Sequence, residues 1–179
     1  MKKWREYSLR PMREDDLEMI RAWRNTKRIR DVSFTDHIIS KKEHAAWFEK
    51  NKSVASFNIF MRGQEPLGFV QVTHFTAQHD RAFWGFYLGK KNLPRGTGLI
   101  MGYLAMRLVF DELKVHKLCS EIFSSNTTSI RLHQKLGFQQ EGVLREHAIK
   151  KNRHQDVILM ALLEKDWRRR ESAIKEALL

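Results

Sequence analysis

Cysteine is nearly absent from this chain: Cys119 stands alone among 179 residues. That excludes an internal disulfide and fits a reducing cytoplasm. Long apolar runs are missing too. None approaches the roughly 20 residues that a membrane-crossing helix needs, and the opening "MKKWREYSLRPMRED" lacks the apolar core of a secretory signal. There is no internal repeat, no low-complexity tract and no linker rich in Pro, Gly or Ser. Residues 1–179 are therefore read as one cytoplasmic domain, long enough to bury a real core and without a membrane partner. Zinc-type patterns are also lacking. His37, His74, His79, His116, His147 and His154 show no ligand spacing, so no metal is expected.

Positive charge is in excess. The formal net charge is +12, from 33 Lys and Arg against 21 Asp and Glu. Such a balance attracts nucleic acid, an acidic membrane, or a small polyanion such as a nucleotide or coenzyme A. A nucleic-acid surface would show a continuous basic stripe, or basic residues interleaved with exposed aromatics. Here the charge is dispersed, and the one tight cluster, "WRRR" (167–170), reads as the solvated face of a terminal helix. Charge alone decides only that the expected partner is anionic, and its dispersal weighs against nucleic acid.

"YSLRPM" (7–12) reads as a first strand. The following "REDDLEMIRAWRN" has an acidic first turn and apolar residues spaced at three, which suits an amphipathic helix. A second helix is expected over 40–51, with Ser40 as its cap. Three strands follow: 56–62, 67–75 and 82–89, joined by "GQEP" and "TAQHD". Leu99, Tyr103, Met106, Phe110 and Leu113 then recur at four and three, a helical stripe. "KLCSEIF" (117–123) is a strand, and a short helix opens near Asn126 and closes at Gly137. Two strands joined around "KNR" and a last helix over 164–178 complete the chain. The order βααβββαβαββ implies an α/β fold: a mixed sheet of about seven strands flanked by helices, with a parallel pair around the helix that starts near 98.

"LPRGTGLIMG" (93–102) sits between a strand and that helix. Glycines let the backbone turn tightly and approach a ligand, and a helix start offers free N–H groups to phosphate oxygens. A P-loop is excluded because no Lys and Ser/Thr follow the second glycine. The dinucleotide fingerprint is excluded because Met101 stands where its last glycine belongs. A helix start with no ligand remains the plain alternative.

Read together, "RGTG" opening a long helix, a strand, then "NTTSIRLHQKLGF" and "EG" resemble the GNAT superfamily of N-acetyltransferases over nearly the whole chain. Its usual R/Q-x-x-G-x-G/A pattern is met at Arg95 and Gly98, but Ile100 replaces the last small residue. A finer resemblance, to the N-acetyltransferases of the pseudaminic acid pathway, lies in "WRNTKRIRDVSF", "IS", "HAAWF" and "AFWGFYLG". Those enzymes acetylate the 4-amino group of a UDP-linked 4-amino-4,6-dideoxy sugar. Relatives acting on peptide amino termini share much of the rest of the pattern.

The resemblance implies acetyl-CoA as co-substrate, held by Phe86 and Leu88, by Arg95, Gly96, Thr97 and Gly98, by Asn126, and by His133 at its sulfur. The backbone of Phe86–Leu88 would supply the oxyanion donors. For the acceptor it points to Arg24 and His44, with Phe34 and Trp84 as walls; Arg suits a diphosphate because its guanidinium binds in a fork. Gln71 is read as the holder of a water. Helical spacing assigns Trp23 and Trp47 to the core instead.

Two residues are read as catalytic. Glu121 is a carboxylate among apolar strand residues, either a salt-bridged or edge glutamate or a general base with its pKa raised by burial. His133 occupies the position where the superfamily commonly has the Tyr that protonates the thiolate. An ordinary imidazole, with pKa near ~6.5, is partly protonated at neutral pH and can do the same; core packing is the alternative. The leading reading is an acetyl-CoA-dependent N-acetyltransferase acting on a nucleotide-linked amino sugar, with a homodimer as one open assembly. A peptide amino-terminal acetyltransferase is the alternative within the fold. A basic nucleic-acid module, the rival from another class, leaves the glycine turn unexplained.

Overall fold

The computed structural model describes residues 3–76 and 78–178. Its elements are β1 (Tyr7–Pro11), α1 (Leu17–Arg24), α2 (Lys27–Arg30), α3 (Lys41–Asn51), β2 (Ser56–Arg62), β3 (Glu65–Thr76) and β4 (Arg81–Leu88). After these come α4 (Thr97–Arg107), β5 (Lys117–Phe123), α5 (Thr127–Leu136), β6 (Gln139–Lys150), β7 (Arg153–Leu163) and α6 (Glu164–Ala177). The seven strands form one sheet in the order β1-β2-β3-β4-β5-β7-β6. Only β4 and β5 run parallel, with α4 as the crossover between them. The α/β class, the seven strands and the parallel pair are as the sequence implies.

The sheet separates two apolar layers. On one face Ile20 of α1 and Phe48 of α3 pack with Phe57, Ile59 and Phe69. On the other, α4, α5 and α6 cover Phe60, Val70, Val72 and Trp84, and Trp167 lies at 0 % exposure against Tyr103 and Phe110. Arg168, Arg169 and Arg170 are exposed, so the arginines of the "WRRR" cluster lie on the wet side of α6, while its Trp167 belongs to the core.

Local chemistry explains the element boundaries. Asp16 takes a two-pronged bond from Arg10, 2.7 Å on each arm, and the Arg13 N–H at 2.8 Å, which ties the start of α1 to β1. Asn25, from the "WRN" segment, clasps both backbone groups of Ile39, at 2.8 and 2.9 Å. That clasp sets up Ser40, whose Oγ accepts the Glu43 N–H at 3.1 Å while Glu43 reaches back to the Ser40 N–H, a reciprocal cap of α3.

Several boundaries differ from expectation. The β2–β3 turn is only Gly63–Gln64, because Glu65 and Pro66 already pair with Arg62 and Met61. The helix expected over 13–25 begins as a single tight turn at Glu14–Asp16. A further short helix, α2, follows Thr26; four residues carry too little periodicity to read from sequence. The stripe ending at Leu113 leaves α geometry at Leu108 and finishes as a wider π turn over Leu108–Glu112. In "TAQHD", Ala77 lies outside the described residues.

Candidate active site

Strands β4 and β5 pair only at Arg81–Phe83 against Lys117–Cys119. Beyond that they part, and the second half of β4 faces a gap in the sheet. The register shows what it offers. The Gly89 N–H bonds the Leu67 carbonyl at 2.8 Å, which makes Gly68–Leu88 a non-hydrogen-bonded pair of the β3–β4 ladder. By alternation Phe86 and Leu88 turn their own N–H and C=O groups away from β3, into the gap. An extended chain with amide groups can pair there as an added strand.

A cavity of about 830 Å³ runs through this gap. On the α1/α3 side it is lined by Arg24, His44, Trp47, Gln71 and Tyr87; Trp84, Phe86 and His133 line the α4/α5 side, and Phe34 and Glu121 also border it. All five expected acceptor residues, both expected catalytic residues, and Phe86 and Asn126 thus border one space. Leu88, Arg95, Gly96, Thr97 and Gly98 do not line it. Leu88 ends β4 and the other four lie at the start of α4, where Gly98 is within packing distance of Leu88 and of Leu132 on α5.

The α4 turn offers fewer donors than a free helix start would. Gly96 adopts the left-handed φ of 90° and caps the helix. Its carbonyl accepts the N–H groups of Leu99 (2.8 Å) and Ile100 (3.0 Å), while the Thr97 N–H and Oγ both go to the Pro94 carbonyl. Thr97 is 2 % exposed. It is a structural pin of the turn, and the expectation that it binds cofactor is corrected accordingly. The backbone N–H groups of Arg95, Gly96 and Gly98 have no backbone partner among the described residues. Asn126, which borders the cavity, caps α5 through Oδ1, which accepts the Ser129 N–H at 3.2 Å, and its Nδ2 group has no hydrogen-bond partner among the described residues.

His133 is 1 % exposed, caged by Trp84, Phe86 and Phe138 with ring centroids at 5.2, 5.6 and 4.8 Å. Its Nδ1 lies 2.8 Å from the Ser129 carbonyl. A carbonyl only accepts, so Nδ1 carries the proton and Nε2 presents a lone pair. Nε2 has no hydrogen-bond partner among the described residues. Burial pushes the ring down to about 4, with the Ser129 bond opposing. The partly protonated proton donor expected from sequence is therefore corrected: as folded, His133 is a neutral acceptor.

Glu121 projects from β5 as an exposed side chain on the cavity wall, with no ion-pair or hydrogen-bond partner among the described residues. The burial that was to activate it is absent, and so is the salt bridge of the plainer reading. It is free to receive an amine. Arg24 is its counterpart. Its Nη1 is buried with no hydrogen-bond partner among the described residues, and burial lowers its pKa, with Tyr87 opposing. His44 is 6 % exposed and stacks on Trp47 at 5.1 Å; burial, helped by the Arg21 charge, holds it below its ordinary value. Phe34 stacks on Phe123 at 4.7 Å.

Sequence reading missed three residues. Tyr87 has a buried hydroxyl without a partner, raised above its ordinary range by burial; strand alternation alone could have set it on the Gln71 face. Trp47, assigned to the core, is half-buried and forms part of the cavity wall. Arg28 of α2 donates to the carbonyls of Leu88 (2.7 Å) and Gly89 (3.1 Å), so a gap-facing acceptor is already engaged. No signal in the sequence marks that contact. Among the described residues no group of three or more His, Cys, Asp and Glu could hold a metal ion, and no helix is long and apolar enough to cross a membrane.

A splayed parallel strand pair, backbone groups facing the gap and a glycine-capped helix beside it thus meet around one cleft. The family model described as "Acetyltransferase (GNAT) domain" matches residues 7–139, and the chain belongs to that family. It is 33% identical over 95 residues to the prophage-derived N-acetyltransferase YokL of Bacillus subtilis, a match covering 52% of this chain and 54% of that one. The matched part thus spans about half of that relative's length. The acetyltransferase PseH of Campylobacter jejuni is 26% identical over 129 residues, 71% of this chain and 79% of its own. Among solved structures, the spermidine N-acetyltransferase of Vibrio cholerae in complex with CoA and spermine superposes with a TM-score of 0.86 at 22% identity, covering 92% of this chain and 99% of that one. At that identity the likeness establishes the fold.

Proposed function

We propose that the chain moves the acetyl group of acetyl-CoA to the amine of an anionic acceptor, the 4-amino group of a UDP-linked 4-amino-4,6-dideoxy sugar. The observation that carries this is Arg24, a half-buried arginine on the cavity wall whose Nη1 is buried with no hydrogen-bond partner among the described residues. A buried cation without a carboxylate is costly until an anion arrives. An acceptor with phosphates at one end and an amine at the other answers both Arg24 and the free Glu121. A polyamine such as spermine offers no anion to Arg24. A homodimer belongs to this reading, and light scattering tests it.

The residues fit acetyl-CoA. The gap-facing groups of Phe86 and Leu88 would hold its arm, the N–H groups at Arg95, Gly96 and Gly98 would face its phosphates, and Nδ2 of Asn126 would add a polar contact. The cofactor supplies an acetyl thioester. Glu121 takes the proton of the incoming ammonium, directly or through water; a simple amine has a pKa near ~8, so the task is modest. His133 at Nε2 takes up the proton the amine releases as the amide forms. It thereby becomes the acid that the departing thiolate requires.

Initial rates with acetyl-CoA and the UDP-linked 4-amino sugar, spermidine or an amino-terminal peptide test the reading. The sugar is expected to be turned over best. Arg24→Met should lower kcat/KM on it about 10- to 100-fold, the worth of a charge-assisted hydrogen bond. Turnover of peptide or spermidine alone would overturn the assignment.

A further inference from the structure

The segment between α2 and α3 has no regular structure over residues 31–36, yet Val32, Ser33, Phe34 and Thr35 form a wall of the cavity. What holds it comes from 120 residues away. Strands β6 and β7 are joined by the two-residue turn Lys151–Asn152, both at positive φ (49° and 59°), the geometry of a tight hairpin. At its base Lys150 is 7 % exposed, an unusual place for a lysine. Its Nζ donates to the Arg30 carbonyl at 2.6 Å, the Ser33 carbonyl at 2.5 Å and the Asp36 carboxylate. An ammonium has three donors, and all three go to this one segment.

Lys150 also sits 5.9 Å from the centre of the Phe123 ring, on which Phe34 stacks. Its neighbour Lys151 pairs with Asp31 at 2.8 Å, and the Lys151 N–H bonds Asp36 at 3.1 Å. Lys150 itself does not line the cavity. A buried charge with two donors on the backbone and the third on the Asp36 side chain of one cavity wall is a fastening, and its loss would let that wall move.

We propose that Lys150 is a positioning residue for the acceptor: by fastening residues 30–36 to the β6–β7 hairpin it sets the wall that Phe34 presents to the cavity. This rests on the reading that the α1/α3 side of the cavity takes the acceptor. It goes beyond that reading in assigning acceptor selectivity to a hairpin that touches no reactant.

The test compares Lys150→Met with the wild type in full steady-state kinetics and in backbone hydrogen exchange. The expected result is a rise of about tenfold in KM for the acceptor, with kcat and the KM for acetyl-CoA within about twofold, because misplaced walls cost binding geometry. Exchange over 31–36 should quicken, and Lys150→Arg should recover part of the acceptor KM. Asp36→Asn, milder and on the other side of the contact, should move the same parameter in the same direction. It also serves if Lys150→Met does not fold. An unchanged acceptor KM in the folded variants, or both KM values rising together, overturns the inference. The wild type is first assayed with the UDP-linked 4-amino sugar, spermidine and a peptide. If it prefers spermidine or the peptide, the proposed function fails, and the same split is read on that amine.

Discussion

His133 donates its Nδ1–H to the carbonyl of Ser129, 2.8 Å away and one turn earlier in α5. This single bond decides which end of the ring meets the cavity. A tyrosine in the same cage would bring a proton to the thiolate. The histidine brings a lone pair, and in the proposed reaction it collects its proton from the amine. That reaction would link the amine's attack and the thiolate's departure through one atom, Nε2.

The free protein should report this state directly. In an NMR titration the His133 ring should change protonation near pH 4 rather than near the ordinary 6.5. Because the folded value is depressed, the unfolded chain binds the extra proton first as pH falls. Stability is therefore full above about 6.5 and is lost on the way down to about 4, by roughly 3 kcal/mol. Chemical denaturation between pH 7 and 4 should show a clearly steeper slope in the wild type than in His133→Gln, where the depressed His44 still contributes.

Turnover should fall about 100-fold in His133→Ala, the usual size of an acid–base contribution, while the KM for acetyl-CoA changes less than about threefold. Steady-state kinetics at saturating acceptor measure it. Unchanged turnover would leave His133 as packing alone.

Glu121→Gln should lower kcat/KM at pH 7 about tenfold or more, and the loss should shrink toward pH 9. Above an amine pKa of ~8 the acceptor arrives neutral and needs no base. A deficit that stays constant across that range would make Glu121 a binding residue for the ammonium rather than the group that deprotonates it.

The central scaffold was legible because its signals are local. The strand-like run "SFNIFMR", the alternation of "KLCSEIF", the Ser40 cap and the Gly137 stop each depend on neighbouring residues, and each is realised in place. The lining of the cavity was legible only through family motifs. What escaped depends on distant partners. Glu121 looks buried within its own strand, but β4 parts from β5 opposite it and leaves it open. Thr97 looks like a ligand donor until Pro94 claims both its groups. Lys150 is one of many lysines until the hairpin delivers it to Arg30 and Ser33.

Gly89 should not tolerate even a methyl group. A Cβ there would lie 2.0 Å from the Trp23 ring, which cannot fold aside as a flexible side chain can. Gly89→Ala should cost at least about 2 kcal/mol, the range of core overpacking, measured by urea denaturation. Trp23 precedes Arg24 in α1, so the acceptor KM should rise as well, with the KM for acetyl-CoA less affected.

Acid should loosen the wall of residues 31–36 in a defined window. The Lys151 ammonium, aided by Lys27, holds the Asp31 carboxyl down to about 2 against an ordinary 3.8, and Lys150 holds Asp36 below its usual range. Both carboxyls are depressed in the fold, so the stability they lend is present above about 3.8 and is lost as pH falls through their folded values, about 2 for Asp31. The change belongs to the pairs and not to His133, whose window closes near pH 4. Thermal melts from pH 6 to 2 should therefore show a shallower acid decline in Lys151→Met than in the wild type below pH 4. The decline should persist in part, because Lys27 still faces Asp31 at 2.5 Å. Parallel curves for the two proteins would mean that the ion pairs are too well solvated to fasten the wall, and that the buried Lys150 ammonium does so alone.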